Sequence, residues 1–210
     1  MSLLNLENDL FQDISWRIGE LSQIKTIPFR YKMTKENRNM LIKYSVPSIY
    51  ALWEGFVVSS FQYYRREINA LNIPIEKVNI KLLTHAINCK DILNLGNARK
   101  DFNVQLKFVE EIMPFISGNF EIAGSIPTES NVNFKVINKL LILHNLKELD
   151  ESYERNLNKL LKFRNCVAHG DNSIPVKIKD INFFTQLVTD LMSEIFEKIT
   201  SGYGEKSYLL

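Results

Sequence analysis

Apolar residues recur every three or four positions along most of this chain, and this spacing is the strongest constraint on its fold. One series begins at Leu3 and continues to Ile24, which predicts an amphipathic helix that ends before Pro28. No alternation of apolar and polar residues is long enough to predict a strand, although residues 119–126 fit a short extended piece. The pattern therefore predicts an all-α fold.

The same spacing predicts further helices. The second is long, and its proline at position 47 predicts a kink or a fresh helix start there. Between Ser117 and Asn131, glycine, proline and small polar residues cluster, so we expect the longest loop there. The additional predicted helices cover residues 35–69, 78–87, 101–116, 133–144, 151–169 and 177–200.

Length and composition indicate a single domain. The chain has 210 residues, of which 45% are hydrophobic, and no internal repeat or composition shift marks a second unit. We therefore expect one domain over residues 1–210, with its core from about 36 to 200. The net charge is only +2, so any binding of phosphate must come from a local cluster of cations.

Several other functional classes have little support in the sequence. Cys89 and Cys166 are too few for a disulfide framework or a zinc site, and no signal peptide is apparent, so we expect a cytoplasmic protein. Residues 44–64 contain one charged residue, Glu54, but their polar side chains favour a buried helix over a membrane span. We expect His85 and His144 to have structural rather than catalytic roles. We also expect the protein to bind neither a metal nor a cofactor.

The segment Phe163–Gly170 places an arginine, an amide and a histidine at the end of a predicted helix. Since each helical residue advances about 100°, Arg164 falls on the apolar face. A guanidinium stays charged, so Arg164 requires an acid, a wet interface or a bound anion. Gly170 favours a helix end at which His169 leaves the helix, and Asn165 is placed to bond His169 or a ligand.

Glu54 is the second charged residue in an apolar environment. A buried carboxylate needs a partner, and we hypothesise an ion pair between Glu54 and Arg164. The alternative is that Glu54 reaches solvent at the edge of its helix.

These residues resemble the HEPN superfamily, whose ribonuclease members carry an arginine, a polar residue directly after it, and a histidine a few residues later. Arg164, Asn165 and His169 match this pattern. Residues 46–56, which contain Trp53 and Glu54, are similar to the first-half signature of the MAE-like stand-alone HEPN group. The resemblance extends from about Met40 to the final helix. It implies a four-helix up-and-down bundle with additional helices.

The resemblance also implies a metal-independent endoribonuclease that uses the 2′-hydroxyl of RNA as its nucleophile. Arg164, Asn165 and His169 would be catalytic, and Glu54 would support Arg164. Lys159 and Lys162 fit an ordinary solvated face, and they are also candidates for binding the RNA. HEPN ribonucleases are dimers whose motifs face each other, so a homodimer with a composite site is expected.

A defence or toxin–antitoxin setting, with an antitoxin or defence-system partner, is likewise implied by the resemblance alone. The alternative is a catalytically silent HEPN interaction or scaffold module. Arg164 would then be a dimer contact, and His169 would be a helix cap.

Overall fold

The computed structural model describes residues 3–89, 101–129, 131–171 and 173–210. The described residues form α-helices and contain no named strand, which confirms the all-α class. A 3₁₀ turn spans Ile75–Lys77, and isolated bridges join Pro74 to Asn119 and Val78 to Leu209. The helices in chain order are α1 (Leu3–Arg30), α2 (Lys35–Asn69), α3 (Ile80–Cys89), α4 (Phe102–Ile116), α5 (Phe134–Leu143), α6 (Ser152–Ala168) and α7 (Ile178–Gly204).

Helix α2 lies at the centre of the bundle. It packs against α1, α6 and α7, and α1 also packs against α7. These four helices enclose the core, and α3, α4 and α5 are the additional helices that lie between α2 and α6 in the sequence. Aromatic side chains fill much of the interior, and those of α2 with almost no exposed surface are Tyr50, Trp53, Phe56, Phe61 and Tyr64.

Pro28 and Pro47 both lie within helices. The prediction that the first helix ends before Pro28 is wrong, because α1 continues to Arg30. Pro28 stands in the last turn, where the missing N–H costs a single helical hydrogen bond, and its carbonyl accepts a bond from Arg38 Nε at 3.0 Å. Helix α2 is continuous through Pro47, so no new helix starts there.

The connection between α4 and α5 is the predicted long loop. Apart from Ser130, which lies outside the described residues, it contains neither a helix nor a strand. The predicted extended piece is reduced to one bridge at Asn119.

Arg17 of α1 is buried against α2, although it carries a charge. Its Nε donates to Asp13 at 3.2 Å and its Nη1 donates to the carbonyl of Leu52 at 3.0 Å. Gly55 lies beside this guanidinium, where a Cβ atom would stand 2.8 Å from Nη1. A side chain at position 55 would therefore require the hydrogen-bonded guanidinium of Arg17 to shift.

Arg65 of α2 is a second buried charge, and it contacts two histidines. Its Nε donates to Nε2 of His144 at 3.0 Å, and its Nη2 lies 2.6 Å from Nε2 of His85. Nδ1 of His144 lies 2.7 Å from the carbonyl of Leu140, so Nδ1 carries the proton and Nε2 accepts. Burial and the charge of Arg65 lower the pKa of His85 to about 4, and they hold the pKa of His144 well below its ordinary value.

We expect the free energy of unfolding to decrease as the pH falls from 7 towards 4. Both histidines are neutral in the folded protein, whereas the unfolded chain binds protons below an ordinary pKa of 6.5, so acid favours unfolding. The variant His144→Gln should reduce the slope of this dependence by up to about 1.4 kcal/mol per pH unit, because glutamine accepts from Arg65 without titrating. Chemical denaturation across this pH range measures the slope. An equal slope in both proteins would contradict a neutral, buried His144.

Candidate functional site

Arg164 extends from α6 towards α2, where neutral groups hold its guanidinium. Its Cζ lies 4.7 Å from the ring centroid of Tyr50. Its Nη1 donates to the amide oxygens of Asn131 at 3.0 Å and Asn165 at 2.9 Å. Within the described chain, Nη2 and Nε donate no hydrogen bond to protein, and the side chain is half-buried. One edge of the guanidinium is therefore anchored, and its other donors are unused.

Glu54 does not form the hypothesised ion pair with Arg164. Among the described residues, the ion pairs within 4.0 Å do not include these two groups. The half-buried Glu54 instead lies beside the hydroxyl of Tyr50, which stands one turn earlier on α2. The predicted direct ion pair is therefore wrong: the carboxylate meets the Tyr50 hydroxyl, whereas the guanidinium lies over the Tyr50 ring.

Tyr50 and Trp53 also hold the loop that supplies Asn131. The hydroxyl of Tyr50 accepts a bond from the N–H of Val132 at 2.7 Å, and Nε1 of Trp53 donates to the carbonyl of Val132 at 3.0 Å. Burial, together with the nearby Glu54 carboxylate, raises the pKa of the Tyr50 phenol to about 12, so the hydroxyl keeps its proton at neutral pH. Asn131 directly precedes the residue that these two side chains hold.

The end of α6 presents His169 at the surface. Gly170 has a φ of +72°, its N–H donates to the carbonyl of Val167 at 3.2 Å, and the N–H of Asp171 donates to the carbonyl of Cys166 at 2.8 Å. These two bonds form a Schellman motif, which explains why the helix ends at a glycine. His169 is exposed, and its imidazole makes no hydrogen bond to the described part of the chain.

The remaining predicted site residues are placed differently from one another. Asn165 uses its amide oxygen to hold Arg164 and does not bond the imidazole of His169. Lys159 points to α7, where it lies 3.8 Å from Asp180 and 4.7 Å from the ring centroid of Phe183. Lys162 is exposed on α6. The structure therefore brings Arg164 and Asn165 together, whereas Lys159 lies on the α7 side of its helix.

Three further residues belong to this region, and the sequence interpretation missed them: Tyr50, Asn131 and Lys43. The spacing of Lys43, Tyr50 and Glu54 on one face of α2 was a usable signal. Lys43 stands close to the loop that follows His169. Hydrogen bonds from Ser173 lower the pKa of Asp171, and the charge of Lys43 contributes to the same effect. Nothing in the sequence linked Asn131 to Arg164.

This arrangement is suited to binding an oxyanion and transferring a proton. The guanidinium donors that the described residues leave unused match the oxygens of a phosphate, and an exposed imidazole can take up or give up a proton. The described residues contain no group of three or more His, Cys, Asp or Glu side chains that could hold a metal ion. In the same part of the chain, no helix has the length and apolar character that crossing a membrane requires.

A comparison with protein families gives one match that covers nearly the whole chain. The family described as MAE_28990-like HEPN matches residues 6–208. Neither the curated proteins nor the solved structures include a match to this sequence.

We expect the variants Glu54→Gln and Arg164→Ala to have nearly additive effects on the free energy of unfolding. Because the two groups form no ion pair, their coupling energy should be below about 0.5 kcal/mol. Tyr50→Leu removes the ring under the guanidinium, so it should couple to Arg164→Ala by about 1 kcal/mol. Double-mutant cycles from chemical denaturation measure both values. A coupling of about 2 kcal/mol between Glu54 and Arg164 would restore the direct ion pair.

Proposed function

This chain belongs to the HEPN superfamily, and we propose that it is a metal-independent endoribonuclease. The superfamily includes ribonucleases, and HEPN domains often bind RNA and dimerise. The observation that carries the proposal is the bonding of Arg164: its guanidinium is anchored at Nη1, and the described residues accept no hydrogen bond from its other two nitrogens. This side chain lies on the last turns of the helix that ends at the exposed His169.

The proposed reaction is a transesterification within RNA. The 2′-oxygen attacks the adjacent phosphorus and loses its proton to a base, while the bond from phosphorus to the 5′-oxygen breaks and that oxygen gains a proton from an acid. His169 is the group that transfers protons, since an imidazole nitrogen can act as a base and an imidazolium as an acid. Arg164 stabilises the charge that develops on the phosphorane oxygens, and Asn165 holds Arg164.

A symmetric dimer supplies the second proton-transfer group. One imidazole does not act easily as base and acid in the same step, and a two-fold axis contributes each residue of the motif twice. We propose that α6 lies beside this axis, so that two copies of Arg164 and His169 line one composite cleft. The exposure of His169 supports this arrangement.

The proposed biological setting rests on the resemblance to defence-associated HEPN proteins. It is a cytoplasmic anti-phage or toxin–antitoxin system, in which an antitoxin or another defence protein restrains the nuclease.

The variants Arg164→Ala and His169→Ala should each reduce RNA cleavage by at least about 100-fold, because each removes a group that acts on the phosphate or its protons. Arg164→Lys should also be strongly impaired, since an ammonium cannot make a two-pronged phosphate contact. Cleavage of labelled RNA by the purified variants measures these rates. Arg155→Ala is the matched control, because Arg155 is exposed on the same helix away from Tyr50.

Full activity in either Arg164→Ala or His169→Ala would reject the assigned site. Wild-type protein without any activity on RNA would instead favour a silent HEPN interaction module. Mixing the two inactive variants should restore part of the activity if two subunits share one cleft. A strict monomer in sedimentation that remains fully active would reject the shared cleft.

An RNA with one 2′-deoxynucleotide at the cut position should resist cleavage there, because that position lacks the nucleophile. Neighbouring sites should still be cut, DNA should survive, and the products should end in a 2′,3′-cyclic phosphate or its hydrolysis product. Activity should persist in excess chelator. Gel analysis of labelled oligonucleotides shows each result. Cleavage at the deoxy position, or activity lost in chelator and recovered with magnesium, would indicate a metal-dependent nuclease.

A further inference from the structure

A groove next to the site concentrates positive charge that the chain as a whole lacks. It has a volume of about 760 Å³ and lies between the start of α2 and the loop that leads to α7. Four of its eleven described lining residues are cationic and none of them is acidic, in a chain whose net charge is only +2. The four cations are Lys35, Arg38, Lys43 and Lys177.

The helix ends around the groove add to its positive potential. Lys35 begins α2 and Lys177 directly precedes α7, so the positive ends of two long helices point to the same region. Cations at helix N-termini are unfavourable for the helix itself, and at α7 the Asp180 carboxylate, which accepts from the N–H of Lys177 at 3.0 Å, offsets part of this cost. Glu36, in the first turn of α2, does not line the groove.

An aromatic side chain stands at the edge of the groove. Phe29 is 55% exposed, and the guanidinium of Arg38 lies over its ring at 5.6 Å from the centroid. Arg38 is fixed there by its bond to the carbonyl of Pro28. An exposed ring beside fixed cations is the combination that binds single-stranded nucleic acids, in which bases stack on aromatic faces and phosphates meet cations.

The groove and the candidate site lie along the same helix, α2. Lys43 lines it, and the same lysine acts on Asp171, which follows His169 and Gly170. Tyr50 lies seven residues after Lys43 on α2, which corresponds to about 10 Å along the helix. An RNA strand with one phosphate bound at Arg164 would therefore reach the groove within a few nucleotides.

We propose that this groove binds the single-stranded RNA segment that flanks the cleaved bond. The proposal rests on the proposed function, and it adds the form of the substrate: an RNA long enough to occupy both the site and the groove. Cleavage of a dinucleotide would use the site alone.

The double variant Lys35→Gln/Lys177→Gln tests the groove without altering the site, because both lysines are exposed. The probe is a fluorescent 2′-O-methyl RNA of twelve nucleotides, which keeps its phosphates but cannot be cleaved. Fluorescence anisotropy at several salt concentrations measures its affinity. The loss of two phosphate contacts should weaken binding by roughly 20-fold at 0.1 M salt and reduce the salt slope by about 1.4.

The matched control is Lys147→Gln/Lys206→Gln, which removes the same charge. Both control lysines are exposed near the C-terminal end of α7, roughly 40 Å of helix from Lys177. The control should bind the probe with nearly wild-type affinity, and the groove variant should cleave a dinucleotide at the wild-type rate.

Equal binding by the groove variant and the control would overturn the proposal, even if the wild-type protein cleaves RNA. Binding of wild-type protein to phosphatidylserine vesicles but not to the RNA probe would also overturn it, in favour of a lipid surface. If no RNA is cleaved but probe binding depends on Lys35 and Lys177, the proposed catalysis is rejected and the proposal that the groove binds RNA is retained.

Discussion

The backbone N–H and carbonyl of Val132 are both bonded to side chains of α2, and the geometry of the site depends on this attachment. Tyr50 accepts from the N–H and Trp53 donates to the carbonyl. Val132 is fully buried, so each group would cost about 1–3 kcal/mol without a partner. Since Asn131 directly precedes Val132, the attachment also positions the amide that holds Arg164. Helix α2, which packs against three other helices, thus orients the loop at Asn131 and Val132, and this loop orients the guanidinium of Arg164.

A comparison of three partly or fully buried arginines shows how the partners of a guanidinium determine whether it can bind a ligand. Arg17 is paired with Asp13, so its charge is largely compensated within the fold. Arg65 is buried among histidines and carbonyl groups, which gives it no opening to a large ligand. Arg164 has amide oxygens and a ring as partners and remains half-exposed. No acid among the described residues pairs with it, and its charge is accessible, which is the combination that attracts a phosphate.

The helices were predictable because their signal is local. Apolar spacing located α2 and α5–α7 within a few residues, and the position of Arg164 on an apolar face correctly indicated a constrained charge. The partners of Arg164 depend on tertiary structure. Asn131 is 33 residues away in a loop without periodicity, and the rotation of α2 that places Tyr50 ahead of Glu54 follows from the packing of the whole bundle. For the same reason, the cluster around Arg65 left no mark in the sequence beyond two isolated histidines.

The close approach of Arg17 to Gly55 has an evolutionary consequence. The guanidinium occupies the space that a side chain at position 55 would need, and moving it aside would disturb its bonds to Asp13 and Leu52. A smaller residue at position 17 would leave that space open. Among homologues, the two positions should therefore covary: glycine should accompany the arginine, and larger residues should appear only where the arginine is gone. Part of the signature around Trp53 and Glu54 would then record a packing requirement between two helices rather than a requirement of the reaction.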